Sequence, residues 1–328
     1  MGGFLKFLFT FVIIAGLGMA VLGWFYMSRE LPKEGPLAAE KIVYIPTGSG
    51  VRQIGSNLLE NGVIADEWMF RIGSWAMKVG GSLKAGEYKF APHISIADAI
   101  KLLQSGKTYQ RQLTIPEGLT AFEIVELVNA AEALEGTLDI ARLPAEGTLL
   151  PETYNYTHGE KRTAIIDRMA AAMKKTLAEY WPKRDANSPI KNETEWVTMA
   201  SVVERETALT TERPRVAGVF LNRLKIGMPL QSDPTTIYAV TEGKGKLGRS
   251  LTTADLRIDS PYNTYVATGL PPGPIANPGR ESLIAVLQPE AHEYLYFVAD
   301  GTGGHAFGKS LDEHNANVAK WRALQRQK

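Results

Sequence analysis

The sequence predicts an α+β protein carried on an N-terminal transmembrane helix, and three observations predict it. Residues 7–27 carry no charge over 21 positions. An Ile-Pro-x-Gly motif occurs at residues 45–48 and again seventy positions later at 115–118, each time ahead of an amphipathic helical pattern. Beyond residue 160 helical patterns mix with short strand patterns such as residues 294–298.

Composition sets the outer limits. A chain of 328 residues has room for about two domains. A net charge of +1 gives no case for a nucleic-acid partner. The absence of cysteine excludes disulfides, thiolate metal sites, a cysteine nucleophile and a lipid-modified cysteine anchor.

The first element follows a short tail, residues 1–6. The run FLFTFVIIAGLGMAVLGWFYM is long enough to cross a hydrocarbon core as a helix, and Trp24, Phe25 and Tyr26 suit an interfacial aromatic belt. Its length, and the lack of a small-x-small cleavage site after it, favour a retained anchor over a cleaved signal peptide. Charge does not orient it: Lys6 lies on one side, and Arg29, Lys33 and Lys41 on the other. The short tail leaves the rest of the chain as one body on a single side. Residues 28–41 read as a linker, broken by Pro32, Gly35 and Pro36.

The duplicated region comes next, as residues 42–113 and 114–159. Ile54 and Leu58 of the first copy correspond to Ile124 and Val128 of the second, and each copy reads as strand, helix, helix, strand. In the first, residues 41–45 form a strand, 51–61 and 67–77 two helices, and 87–90 the return strand. Residues 95–104 add a helix that Ser95 caps. No aromatic cluster in this copy marks a sugar platform, so a spacer and a polymer-binding module are equally open readings.

Residues 161–181 carry apolar side chains at helical spacing, from Ile165 to Tyr180, and lead into a C-terminal domain, residues 160–328. Residues 193–207 read as a further helix with Trp196, Met199, Ala200, Val202 and Val203 on its apolar faces. Glu206 falls three and four positions after Val203 and Val202, on their stripe, and Glu204 lies four after Ala200. A carboxyl on a buried stripe is desolvated, which favours its neutral form. A neutral carboxyl near pH 7 is able to protonate a leaving glycosidic oxygen. The ordinary alternative is that these carboxylates cap the helix or pair with Arg205, Arg213 or Arg215.

Two polar strips follow. Gln231, Asp233, Thr235 and Tyr238 come after a second amphipathic helix that Gly227 caps, and Pro234 is expected to keep this strip extended. Tyr262, Asn263, Thr264 and Tyr265 form the other strip. Their amides, hydroxyls and rings suit acetamido sugars, although turn formation explains Asp233 and core packing the tyrosines equally well. Residues 269–279, GLPPGPIANPG, predict a rigid irregular loop. His305 and His314 lie nine apart without further ligands, so a metal site is not expected.

Four blocks carry a family resemblance: IPEG at 115–118, ASVVERET at 200–207, the stretch from LNRL to DPTTIY, and YNTY with GLPPGPIANPG. On these the chain resembles, over about residues 42–325, the MltG (YceG-like) family of membrane-anchored endolytic murein transglycosylases. The resemblance implies a LysM-like first module and an extracytoplasmic body on the cytoplasmic membrane. It implies cleavage within nascent peptidoglycan glycan strands, with closure of a 1,6-anhydro ring and no cofactor, and peptidoglycan synthases as candidate partners. It makes Glu206 the catalytic acid–base, with Glu204 as second choice. It makes Gln231, Asp233, Thr235, Tyr238, Tyr262, Asn263, Tyr265, Asn277 and His305 candidate substrate contacts. Lytic transglycosylases need one carboxyl, because the nucleophile is the 6-hydroxyl of the sugar being cut. A hydrolytic muramidase, with Asp233 as second carboxylate, and a non-catalytic wall-binding scaffold are the rival readings.

Overall fold

A computed structural model describes residues 2–326, and the chain divides into two compact units at Arg111 and Gln112.

The first unit begins with α1 (Gly2–Glu30), a helix about 44 Å long at 1.5 Å per residue, long and apolar enough to cross a membrane. Its last turn is not free, because Met27 and Leu31 pack on the core of this unit. The expected linker is also folded down. The Leu31 carbonyl accepts from Ala97 N at 2.9 Å, Gly35 N donates to the His93 carbonyl, and His93 N donates to the Leu37 carbonyl at 2.7 Å. Gly35 is obligatory here, since a Cβ would stand 2.3 Å from the Ile94 carbonyl oxygen.

β1 (Lys41–Ile45) and β2 (Gly86–Phe90) form an antiparallel pair with Val43 opposite Tyr88. Between them run α2 (Val51–Glu60) and α3 (Glu67–Ala76), and α4 (Ile96–Ser105) follows. The side chains of Ile45, Leu58, Phe70, Tyr88, Phe90 and Ile100 close the core. Asp66 caps α3 by accepting from Met69 N, and Ser95 caps α4 by accepting from Asp98 N. An aromatic pair stands on this unit, Trp68 and Trp75 on α3, exposed by 60% and 78%.

In the second unit β3 (Arg111–Thr114) pairs with β4 (Thr153–Tyr156), and between them lies a single helix, α5 (Ala121–Ala130). The second helix expected in this copy is replaced by a 3-10 turn at Ile140–Arg142. Gly136 and Gly147 in left-handed conformation, with Pro144 between them, break any longer helix there. The carbonyls after α5 converge on Arg162, whose guanidinium reaches those of Val128, Asn129, Ala131, Leu134 and Gly136.

α6 (Arg162–Tyr180) ends where Pro182 would enter the helix. Four helices follow: α7 (Glu193–Glu206), α8 (Arg213–Lys225), α9 (Asp233–Thr241) and α10 (Arg280–Leu287). α7 packs against both α8 and α10. It is apolar around most of its girth, and residues 196–204 are all buried, which is why it forms the centre of the unit. Trp196 stacks on Trp181 at 5.8 Å and donates its indole N–H to the Leu283 carbonyl at 2.7 Å. An antiparallel hairpin of β5 (Tyr296–Ala299) and β6 (His305–Gly308) and a last helix, α11 (Leu311–Gln325), complete the unit.

The strip at 233–238 is helical rather than extended. Pro234 sits in the first turn of α9, where a missing N–H costs nothing and its fixed φ favours the helix. Gly227 does follow α8 with φ of +68°.

Candidate active site

α7 ends at a carboxyl with a strongly perturbed setting. Glu206 is half-buried, and the Ser232 hydroxyl, from the residue before α9, donates to its Oε1. Burial pushes its pKa up to about 7. The Ser232 hydrogen bond opposes that rise, the negative charge of Asp233 adds to it, and His305 and Arg223 pull the other way. Arg223 is itself buried, with Nε donating to the Leu295 carbonyl at 2.6 Å and its guanidinium over the Tyr296 ring.

Glu204 has a different setting. It is buried, and its Oε1 accepts from Arg213 at 2.8 Å while Oε2 accepts from Gly279 N at 2.9 Å. The same Arg213 nitrogen reaches Glu117 of the Ile-Pro-Glu-Gly motif at 2.9 Å, and Arg205 donates to the Gly118 carbonyl at 3.0 Å. Gly279 permits this closure, because a Cβ there would lie 1.8 Å from Glu117 Oε1. The pairing weighed as an ordinary alternative therefore applies to Glu204.

The expected contacts sort by exposure, and two of them, Tyr238 and Tyr262, stand with Glu146 rather than with Glu206. Gln231 and Asp233 are exposed, and Tyr238, Tyr262, Tyr265 and His305 are half-buried. Gln231 holds a left-handed φ of +50°, a costly setting for a side chain with a Cβ and one that concentrates at functional sites. The Tyr265 hydroxyl donates to Asp233 at 2.7 Å, and burial with this bond raises the tyrosine's pKa. His305 Nδ1 lies 2.7 Å from Glu212 Oε2, which also accepts through Oε1 from the His305 backbone N–H.

Three expected contacts are closed off. Thr235, Asn263 and Asn277 are fully buried. Thr235 bonds Ser232 O and Thr264. Asn263 accepts from Thr236 and donates to the carbonyls of Leu256 and Ile258. Asn277 accepts from Leu149 N and donates to Leu119 O and Glu146. These residues hold the walls rather than face the opening.

Sequence reasoning missed Ser232, Arg223, Glu212 and Glu146. Glu146 is a second carboxyl pushed by burial to about 7, with Ala121 N, Asn277 and, at 3.5 Å, the Tyr238 hydroxyl as its neighbours. It opens on a cavity of about 690 Å³ whose wall includes Tyr262, Met173, Val197 and residues 272–274, but not Glu206. The one available signal was the sequence Ala-Glu-Gly at 145–147, a carboxyl beside a glycine amid apolar residues. Among the described residues no three His, Asp or Glu side chains gather to hold a metal.

A family model described as the YceG-like family matches residues 43–320. A Streptococcus pneumoniae (serotype 2, strain D39) protein called endolytic murein transglycosylase is 32% identical over 96% of this chain. The chain spans 65% of that protein's length. A Bacillus subtilis (strain 168) protein of the same name is 34% identical, over 85% of this chain and 84% of the relative. The crystal structure of a yceG-like protein from Listeria monocytogenes superimposes with a TM-score of 0.55 at 32% identity, over 85% of this chain and 99% of that one.

Proposed function

The chain belongs to the YceG-like family, and on that premise we propose that it is an endolytic peptidoglycan lytic transglycosylase. Glu206 is its acid–base residue. The observation that carries the reading is a half-buried carboxyl, pushed to about 7, at the end of the central helix. The similarity to relatives named endolytic murein transglycosylase supports the substrate class.

In this mechanism neutral Glu206 protonates the oxygen between N-acetylmuramic acid and N-acetylglucosamine as the C1–O bond breaks. The resulting carboxylate then takes the proton of the 6-hydroxyl, which attacks C1 of the same ring and closes the 1,6-anhydro product. No water is consumed, and the intramolecular nucleophile gains from proximity. Ser232 orients the carboxyl, Gln231, Asp233, Tyr265 and His305 line the approach to it as sugar contacts, and Tyr238 and Tyr262, which stand beside Glu146, are sugar contacts of the neighbouring cavity. α1 serves as a single-pass anchor in the cytoplasmic membrane with the body on its outer side, and residues 42–113 form a LysM-like module. Synthases that supply nascent strands are the partners this activity implies.

The test is mass spectrometry of purified peptidoglycan treated with the full chain in detergent, wild type beside Glu206→Gln. Anhydromuramyl ends from wild type alone support the reading. Reducing ends would give the site to a hydrolase using Asp233, which lies next to Ser232. No cleavage by either protein would leave a wall-binding scaffold.

A further inference from the structure

We infer that the outward face of α3 is a membrane-docking surface, with Trp68 and Trp75 seated in the headgroup layer and Arg71 and Lys78 meeting anionic lipid phosphates. The inference rests on the reading of α1 as a membrane anchor.

α3 has two unlike sides. Met69, Phe70, Gly73 and Ser74 are buried inward. Trp68 and Trp75 stand outward and largely exposed. Seven positions at 100° each return to within about 20° of the same direction, so the two indoles share one stripe. Arg71 falls between them, with its guanidinium 5.1 Å from the Trp68 ring centre. Lys78 lies two residues past the end of the helix. With Val51 and Ile72 these side chains line a shallow groove of about 540 Å³ that has no acidic residue in its wall. The nearby carboxylates are turned away: Asp66 caps α3, and Glu67 accepts from Ser56.

The position of this face matters as much as its chemistry. Gly73 lies against Leu31, so closely that a Cβ would be 2.6 Å from a Leu31 methyl, and Met27 packs on the same core. α3 is therefore seated beside the last turn of α1, one turn beyond Trp24, Phe25 and Tyr26. A helix is about 10 Å across, so its outer face remains close to the level of the headgroups. Indoles favour that layer, and each basic residue near an anionic surface strengthens attachment by about fivefold. A sugar platform would instead flank its aromatic rings with amides and carboxylates, and this groove has neither.

The chain has no cysteine, so single labels are clean. The full chain carrying Trp75→Cys, Phe25→Cys or Glu60→Cys is labelled with an environment-sensitive fluorophore. It is then placed in lipid nanodiscs containing phosphatidylglycerol and a headgroup nitroxide quencher. Docking predicts a blue shift and strong quenching at position 75, comparable to position 25 in α1 and absent at position 60 on α2. Pure phosphatidylcholine discs, or the added pair Arg71→Gln and Lys78→Gln, should reduce the quenching at 75 several-fold and leave 25 unchanged. A label at 75 that stays unquenched while 25 is quenched overturns the docking surface and leaves the anchor standing. An unquenched label at 25 overturns the anchor itself. A label at 75 that ignores lipid and responds to soluble peptidoglycan fragments makes the groove a sugar site and overturns the inference.

Discussion

Glu204 and Glu206 stand two positions apart on α7 and face opposite environments: Glu204 closes onto the Arg213 guanidinium, Glu206 onto the Ser232 hydroxyl. Two residues span about 200° of helix. Burial raises the pKa of both, but only Glu204 pairs directly with a buried guanidinium that opposes the rise.

Replacing Glu206 by Gln should lower the rate of strand cleavage by about 10²–10⁴-fold, the usual worth of a positioned acid–base. The melting temperature should not fall, because a desolvated carboxyl is removed. Product formation and thermal unfolding measured on one preparation check both halves.

With its pKa near 7, Glu206 is in its acid form below neutrality. Activity should fall as pH rises through about 7. Stability should fall over the same direction, since the folded state binds more protons than the unfolded chain between about 4.5 and 7. Glu146 adds to that loss in the same window. A pH series of unfolding midpoints should show the decline, and Glu206→Gln should flatten part of it.

Ser232 stabilises the charged form of Glu206. Ser232→Ala should therefore move the alkaline limb of the pH–rate profile to higher pH, with the protein still folded. A limb that stays in place, or moves to lower pH, would count against the hydrogen bond seen here.

Arg213 pairs with two carboxylates from one buried nitrogen. Arg213→Ala should cost about 3–5 kcal/mol in denaturant unfolding, because it removes the cation that offsets the burial of the Glu204 carboxyl.

Asn277→Ala should cost about 1–3 kcal/mol, since it orphans Leu149 N and removes one bond of Glu146, while Leu119 O keeps the backbone N–H of residue 277. At temperatures where the variant stays folded, KM should be unchanged, which separates a wall residue from a substrate contact.

Periodicity makes α7 and its terminal carboxyl legible in the sequence, because an apolar stripe running into a charged end is a local pattern. The helices of the first unit followed for the same reason, with Ser95 marking a start. What escaped was non-local. Nothing near Glu206 in the chain points to Ser232, 26 positions on, as its donor. Nor does local sequence tell that Asn277 spans 128 residues to Leu149 and is sealed in the interior. Pro234 was misread as holding an extended strip, since one residue type both opens helices and stiffens strands. The second copy lost its expected helix to glycines whose left-handed conformation only the folded chain reveals.

The closure of Glu117 over Gly279, Glu204 and Arg213 bears on how the protein can be dissected. A fragment starting at residue 160, where the helical pattern begins, would lack Glu117, Gly118 and Glu146. Arg213 would lose one of its carboxylates, Arg205 its carbonyl acceptor and Asn277 most of its partners. The shortest autonomous piece bearing Glu206 should therefore begin near Gln112. The Ile-Pro-Glu-Gly segment would travel with it as an inseparable part, unavailable for exchange between relatives unless Gly279 and Arg213 move along.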